Sequence, residues 1–280
     1  MWSHNQVPDN LTTYNYIKTQ CNWEEAVNSF KRNDDADLDL RISNLLFDST
    51  NVLKEVYELY KEVGAVNWQS QNSLGLYGLG LSYNPSLPKE LMHKGCFGTP
   101  RYRIYSSKEY FDAVMADKTN HIKNDFFDSL GFNTLLPQIQ SKPNLHKLLT
   151  CFKLPVIKVT VRTINGILSN PTDITTGGYH LDDCPFETLR INISLSNNGN
   201  FGLQYKDKKV VYTDTGDNLV VNTGKLHRSY IKESTNFQRT NLIVNLAPWL
   251  NFNNVNKSWS LNNYFNKLHP FDIVRENLIV

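Results

Sequence analysis

Beyond Leu154 apolar and polar residues alternate with a period of two, whereas before it apolar residues recur mostly at helical spacing. VIKVTVRT sets Ile157, Val159 and Val161 against Lys158, Thr160 and Arg162, the signature of a half-buried strand. GYHLD, LRINISLS, FGLQYK, KKVVYTD, NLVVN, HRSYIKE and QRTNLIVNLA follow, separated by Asn, Gly and Asp turns. Eight short strands so spaced predict an antiparallel barrel or sandwich of the jelly-roll kind. Ahead of them, NWEEAVNSF predicts a short helix. ISNLLFDSTNVLKEVYELYKEVGA predicts a longer one, with Leu45, Leu53, Val56, Leu59 and Tyr60 as its buried stripe. SSKEYFDAVMADKT opens on a capping serine, and SKPNLHKLLTCF carries Pro143 near its start. In NWQSQNSLGLYGLGLSYNPSLP, Gly75, Gly78 and Gly80 alternate with Leu and Tyr, as in a strand pair or a tightly apposed loop. GCFGTPRYRIYS reads as a loop and short strand with Arg101, Arg103 and Tyr105 at alternate positions.

The pattern therefore divides the chain in three. Residues 1–153 form a mainly helical and loop region, opening on an extended arm, that supports the barrel. Residues 154–250 form the stranded core, and 251–280 a helical cap, with a homodimer contact as the other reading of that last segment. The expected class is α+β. A hydrophobic share of 40% against 20% charged residues supports a sizeable core and excludes wholesale disorder. A net charge of +2 supplies no field for non-specific nucleic-acid binding. Cys21, Cys96, Cys151 and Cys184 are scattered with no Cys-x-x-Cys pair, so reduced thiols in a cytoplasmic protein are the expectation. The N-terminus lacks the basic and apolar regions of a signal peptide, and no apolar run reaches the roughly 18 residues needed for a membrane helix. GLYGLG is not followed by Gly-Lys-Ser/Thr, which argues against a phosphate loop.

Candidate chemistry gathers between Gly178 and Leu250. On a strand, His180 and Asp182 project from one face, with Asp183 on the other. His227 can complete a set of two imidazoles and a carboxylate, which leaves three positions open on a non-haem Fe(II) ion. The alternative is that both histidines are hydrogen-bonded barrel residues. Arg239 weighs against it, because it opens a strongly apolar strand where a buried guanidinium is costly unless it meets an anion. In LRINISL, Leu189, Ile191, Ile193 and Leu195 share one face and Arg190, Asn192 and Ser194 the other. That polar face either lines a wet pocket or looks outward.

Through YHLD, ETLRINISL, GDNLVVNTGKLH and RTNLIVNLAPW, residues 154–250 resemble the Fe(II)/2-oxoglutarate-dependent dioxygenases. Within that family they look most like the aspartyl/asparaginyl β-hydroxylase and proline hydroxylase branch. The resemblance implies a double-stranded β-helix (jelly-roll, cupin-like) core, with Fe(II), 2-oxoglutarate and O2 as cofactor and cosubstrates. It implies iron ligation by His180, Asp182 and His227, and a grip on the C5 carboxylate of 2-oxoglutarate by Arg239. Arg190 and Asn192 would help to hold the oxo-acid or the substrate. The implied reaction hydroxylates an amino acid or a peptidyl side chain and releases succinate and CO2. Asp182 stands where some aspartyl hydroxylase relatives lack the acid, which favours the proline-hydroxylase type and disfavours a halogenase. NGILSNPTDITT replaces the short Pro-Gly turn usual in relatives. Trp68, Arg101, Arg103, Tyr105, Lys158, Arg162 and Arg190 are candidates for the substrate pocket, their cations favouring a carboxylate-bearing substrate. Expected partners are a small molecule or peptide, with no strong nucleic-acid signal and no membrane, and the chain a monomer or homodimer. The rival readings are a non-catalytic jelly-roll structural or interaction protein with a vestigial metal site, and a cupin-like metal enzyme without the oxo-acid.

Overall fold

The computed structural model describes residues 21–30, 37–69, 75–85, 129–166, 179–182, 185–231, 237–276 and 278–279. Helix α1 (Trp23–Ser29) buries Trp23 and Ala26 at helical spacing. Helix α2 (Ser49–Val63) begins later than the run of apolar residues from Ile42 suggests, because Asp48 caps it by accepting from the Asn51 N–H at 3.0 Å. Gly64 ends it at φ 88°. Leu45, expected on this helix, is buried ahead of it, while Val52, Val56 and Leu59 form the fully buried stripe.

The glycine-rich segment is a strand pair, β1 (Val66–Gln69) antiparallel to β2 (Gly75–Gly80), followed by a short ladder of β3 (Ser82–Tyr83) with β4 (Thr134–Leu135). Helix α3 (Pro143–Thr150) starts with proline as expected. Its free first-turn N–H groups are met by the buried Glu55 carboxylate of α2, which accepts from Asn144 N at 3.2 Å and Leu145 N at 2.7 Å.

The period-two half supplies β5 (Val156–Gly166), β6 (Leu189–Ser196), β7 (Phe201–Tyr205), β8 (Val210–Tyr212), β9 (Asn218–Val221), β10 (His227–Ile231) and β11 (Phe237–Leu246). One sheet runs β1-β2-β5-β11-β6-β9 and another β10-β7-β8, with every pairing antiparallel. Strands from the first part of the chain thus extend the larger sheet, where the sequence pattern indicated mainly helical support. GYHLD does not form the expected strand: it contributes a single bridge, His180 to His227.

The outer face of the larger sheet carries Val159, Val161, Ile191, Ile193, Leu242 and Val244, which share one core with Val52, Val56 and Leu59 of α2. The Tyr60 hydroxyl lies 3.1 Å from that of Thr163, itself 3.0 Å from that of Thr240, so α2 is tied to β5 and β11 by polar contacts as well. The apolar side of LRINISL faces this core and the polar side faces inward. Between the sheets, Leu203 and Tyr205 of β7 pack with Leu219 and Val221 of β9. Facing antiparallel sheets with helices on the outer face of one are consistent with a jelly-roll core.

The C-terminal segment contains the expected final helix, packed on the core, but the rest of it is not helical. A hairpin, β12 (Leu250–Asn253) with β13 (Ser258–Leu261), precedes the short helix α4 (Pro270–Arg275). Asn253 closes its turn by accepting from Val255 N at 2.8 Å, and Lys257 follows at φ 55°. Fully buried Trp249 joins this end to α1, with ring centroids 5.3 Å from Trp23, 4.9 Å from Phe186 and 5.2 Å from Phe265. Residues 1–20 of the expected arm over 1–22, the strand with Arg101, Arg103 and Tyr105, the SSKEYFDAVMADKT helix, and residues 167–178 of the insertion that begins at Asn165 lie outside the described residues. Among the described residues no helix is long and apolar enough to cross a membrane.

Candidate metal centre

His227 opens β10, where burial to 4% exposure and pairing with Tyr205 of β7 fix its backbone. Its Nδ1 lies 2.8 Å from the Lys225 carbonyl. A proton on Nδ1 donates there and leaves the Nε2 lone pair for the interior. His180 is brought alongside by two backbone bonds, its N–H to the His227 carbonyl at 3.0 Å and the His227 N–H to its own carbonyl at 3.1 Å. Two residues on, the Asp182 N–H donates to Thr223 O at 3.1 Å. Local extended geometry therefore puts both side chains on one side without a full strand. The intervening Leu181 is 59% exposed, and Tyr179 stacks under the Arg228 guanidinium at 4.4 Å.

The Nε2 atoms of His180 and His227 lie 3.9 and 3.7 Å from Asp182 Oδ2, and donor atoms of the three residues all fall within 4.8 Å of one another. Donors at adjacent positions of an octahedral ion with bonds near 2.1 Å are about 3 Å apart. The cluster is open by about 1–2 Å relative to that geometry. Rotations of the His180 and Asp182 side chains, 50% and 34% exposed, can close the gap. Donor types, shared direction and spacing fit a divalent metal.

Electrostatics favour the forms that bind. Burial alone pushes the Asp182 carboxyl up, but the charge and hydrogen bond of Arg190, with the two imidazoles, outweigh it and hold Asp182 below the usual carboxylate range. Burial pushes the His227 imidazole down, and the neighbouring His180 and Arg190 add to this against the opposing Lys225 carbonyl and Asp182. A neutral imidazole and an ionised carboxylate are the ligand forms.

Arg190 projects inward from β6 and donates through Nη1 to Asp182 Oδ2, a contact that the sequence did not indicate. Its Nε donates to Asn245 Oδ1 at 3.3 Å. Asn245, 2% exposed on β11, is a participant that sequence reading missed; its signal is a polar residue inside the otherwise apolar LIVNLA run.

Arg239 also faces inward, from the start of β11. Its guanidinium carbon lies 5.0 Å from the Phe201 ring centroid of the opposing sheet, and its buried Nε has no hydrogen-bond partner among the described residues. Burial, with the nearby Arg162 charge, pushes its pKa down to about 10, so it stays cationic at neutral pH. Asn192 Oδ1 and Ser194 Oγ on β6 are likewise buried without partners. Arg162, opposite Asn241 on β5, shares this inward face, and Lys158 sits in β5 at φ 40°. Trp68 lies on β1, opposite Leu76.

No family model matches this chain, and no curated protein matches it. Solved structures overlap it loosely. The non-heme alpha-ketoglutarate-dependent epimerase SnoN from nogalamycin biosynthesis has 12% identity and a TM-score of 0.38 over 79% of this chain and 83% of its own. A prolyl hydroxylase from Trichoplax adhaerens, in complex with a hypoxia inducible factor peptide fragment, has 14% identity and a TM-score of 0.36 over 88% and 94%. An RmlC-like cupin protein from Desulfovibrio desulfuricans has 11% identity and a TM-score of 0.22 over 32% and 72%. The structural neighbours thus include iron- and 2-oxoglutarate-dependent oxygenases and cupins, at similarities too low to bear on activity. The chemistry rests on the site itself: a His-Asp-His cluster able to hold a metal, within antiparallel sheets that also enclose the Nε of Arg239.

Proposed function

We propose that the chain is a non-haem Fe(II)- and 2-oxoglutarate-dependent oxygenase on a double-stranded β-helix, hydroxylating an amino acid or a peptidyl side chain. The observation that carries the reading is the conjunction of the His180–Asp182–His227 cluster with Arg239, whose buried Nε has no partner among the described residues and lies between the same two sheets. The strand order supports the fold: β5-β11-β6-β9 faces β10-β7-β8, with His180 bridging to the free edge of β10.

In this reading His180 and His227 through Nε2, with the Asp182 carboxylate, hold Fe(II). The bound iron, with the oxo-acid and O2, supplies oxidative decarboxylation to succinate and CO2 and transfer of an oxygen atom to a substrate C–H bond. The protein's own part is placement. Arg239 presents a fork of donors to the distal carboxylate of the oxo-acid, a geometry that the point charge of lysine does not reproduce. Ser194 can donate a second bond to that carboxylate, and Asn192, with its amide turned, a third. Phe201, Leu203, Leu219 and Val221 supply apolar walls that strengthen these charge-assisted contacts. The exposed faces of His180 and Leu181 mark the open side for a small-molecule or peptide substrate.

A succinate-release screen with Fe(II), 2-oxoglutarate and O2 against amino acids and peptides tests this reading. The expected result is substrate-stimulated succinate that His180→Ala abolishes. Undiminished turnover in His180→Ala would remove the assigned site. Metal binding without succinate in any arm would favour a non-catalytic or oxo-acid-independent protein.

A further inference from the structure

We infer that Arg190, braced by Asn245, is a positioning residue that fixes the Asp182 carboxylate for the metal, rather than a contact for the oxo-acid. The inference rests on the proposed metal site and assigns a role within it.

Asp182 is weakly held by its own segment. It lies in no strand, its backbone is anchored among the described residues by one hydrogen bond to Thr223, and its side chain is 34% exposed. Arg190 has the opposite setting. It lies in β6 between β11 and β9, opposite Asn245 and Val221, with its side chain only 15% exposed. Its Nη1 donates to Oδ2, the carboxylate oxygen that both imidazole Nε2 atoms approach. A rigid element thus reaches out to steady a ligand carried on an irregular one.

The brace continues behind Arg190. Asn245 accepts from Arg190 Nε and donates from Nδ2 to the Lys158 carbonyl at 2.6 Å. That carbonyl is reached where the β5–β11 register shifts between Ile243 and Asn245, beside Lys158 at φ 40°. A left-handed lysine inside a strand is sparsely populated backbone, and here it accompanies a bulge in the ladder. One line of hydrogen bonds therefore runs from β5 through Asn245 of β11 and Arg190 of β6 to Asp182.

Two effects of Arg190 on an incoming dication oppose each other. Its charge repels the ion, and its hydrogen bond holds the ligand oxygen in place. Asn245→Leu separates them, because it removes the brace and leaves the charge count unchanged. The test is Co(II) titration of the full chain, read by the d–d absorption bands and the dissociation constant, with melting temperature recorded in parallel. Loss of a ligand's hydrogen-bond partner commonly weakens metal affinity by about 10–100-fold. Asn245→Leu and Arg190→Lys are expected to weaken Co(II) binding by about tenfold. Should Asn245→Leu fail to fold, Arg190→Lys reads the same contact from the other side. Co(II) affinity that is unchanged or higher in Asn245→Leu and Arg190→Lys would overturn the inference. A loss confined to 2-oxoglutarate affinity would return Arg190 to the oxo-acid. If wild-type protein binds no Co(II), the metal site itself falls, and this role with it.

Discussion

His227 combines backbone order, burial and a fixed tautomer, while His180 and Asp182 are exposed and take their places from single backbone bridges. The pH response follows from this difference. Burial lowers the His227 pKa from its ordinary 6.5, so on acidification the unfolded chain takes up a proton before the folded one does. The stability tied to neutral His227 is therefore fully present above about pH 6.5 and is lost as pH falls through its lower folded value. Asp182 acts with the same sign, over the carboxylate range. Urea unfolding of the metal-free protein from about pH 7.5 to about 5 should show stability falling with pH, and His227→Gln should flatten that slope. An unaltered slope in the variant would place the titration elsewhere. At this scale the ligand types and their spacing were legible, because two-residue periodicity aligns His180 with Asp182 in any extended segment. The Arg190 contact was not, since nothing local in LRINISL distinguishes an arginine reaching an oxo-acid from one reaching Asp182.

Most strands were readable from alternation, because each buries one face, and α3 from its leading proline. The hairpin β12–β13 was hidden by its Asn-rich turn, although Phe252 and Trp259, directly opposite in register with rings 4.8 Å apart, are the cross-strand pair that holds it. The start of α2 was misplaced because the apolar residues Ile42 and Leu45 are buried before the helix begins, and Asp48 decides the boundary. The union of α2 with α3 was not legible at all. Glu55 lies on the helix face that should be apolar, and its carboxylate uses both oxygens on the first turn of α3. Glu55→Gln turns one of those oxygens into a donor facing an N–H group. It should lower unfolding stability by about 1–3 kcal/mol, measured by urea denaturation. Co(II) affinity should be unchanged, since Glu55 lies on the side of the larger sheet away from the metal cluster. Stability equal to wild type would mean that water satisfies the α3 terminus as well as the carboxylate does.

For the whole molecule, period-two alternation foretold antiparallel sheets but not which strands neighbour one another. Strand order depends on long-range pairing, and β11 enters between β5 and β6 from far along the chain. That insertion places Arg239 over Phe201 and Asn245 against Arg190, so the topology brings together the residues of the proposed anion grip and of the proposed metal brace. Likewise β1 and β2 join the larger sheet because the open edge of β5 accepts them, which their glycine content left ambiguous between strand pair and loop. We propose that the metal cluster and Arg239 together form one iron and oxo-acid site. Anaerobic addition of Fe(II) and 2-oxoglutarate tests it most directly. Wild type should show a visible charge-transfer band and His180→Ala none. In Arg239→Met the band should need about 10–100-fold more oxo-acid, the loss of a charge-assisted hydrogen bond. Folded wild-type protein that shows no band at saturating Fe(II) and 2-oxoglutarate would contradict it.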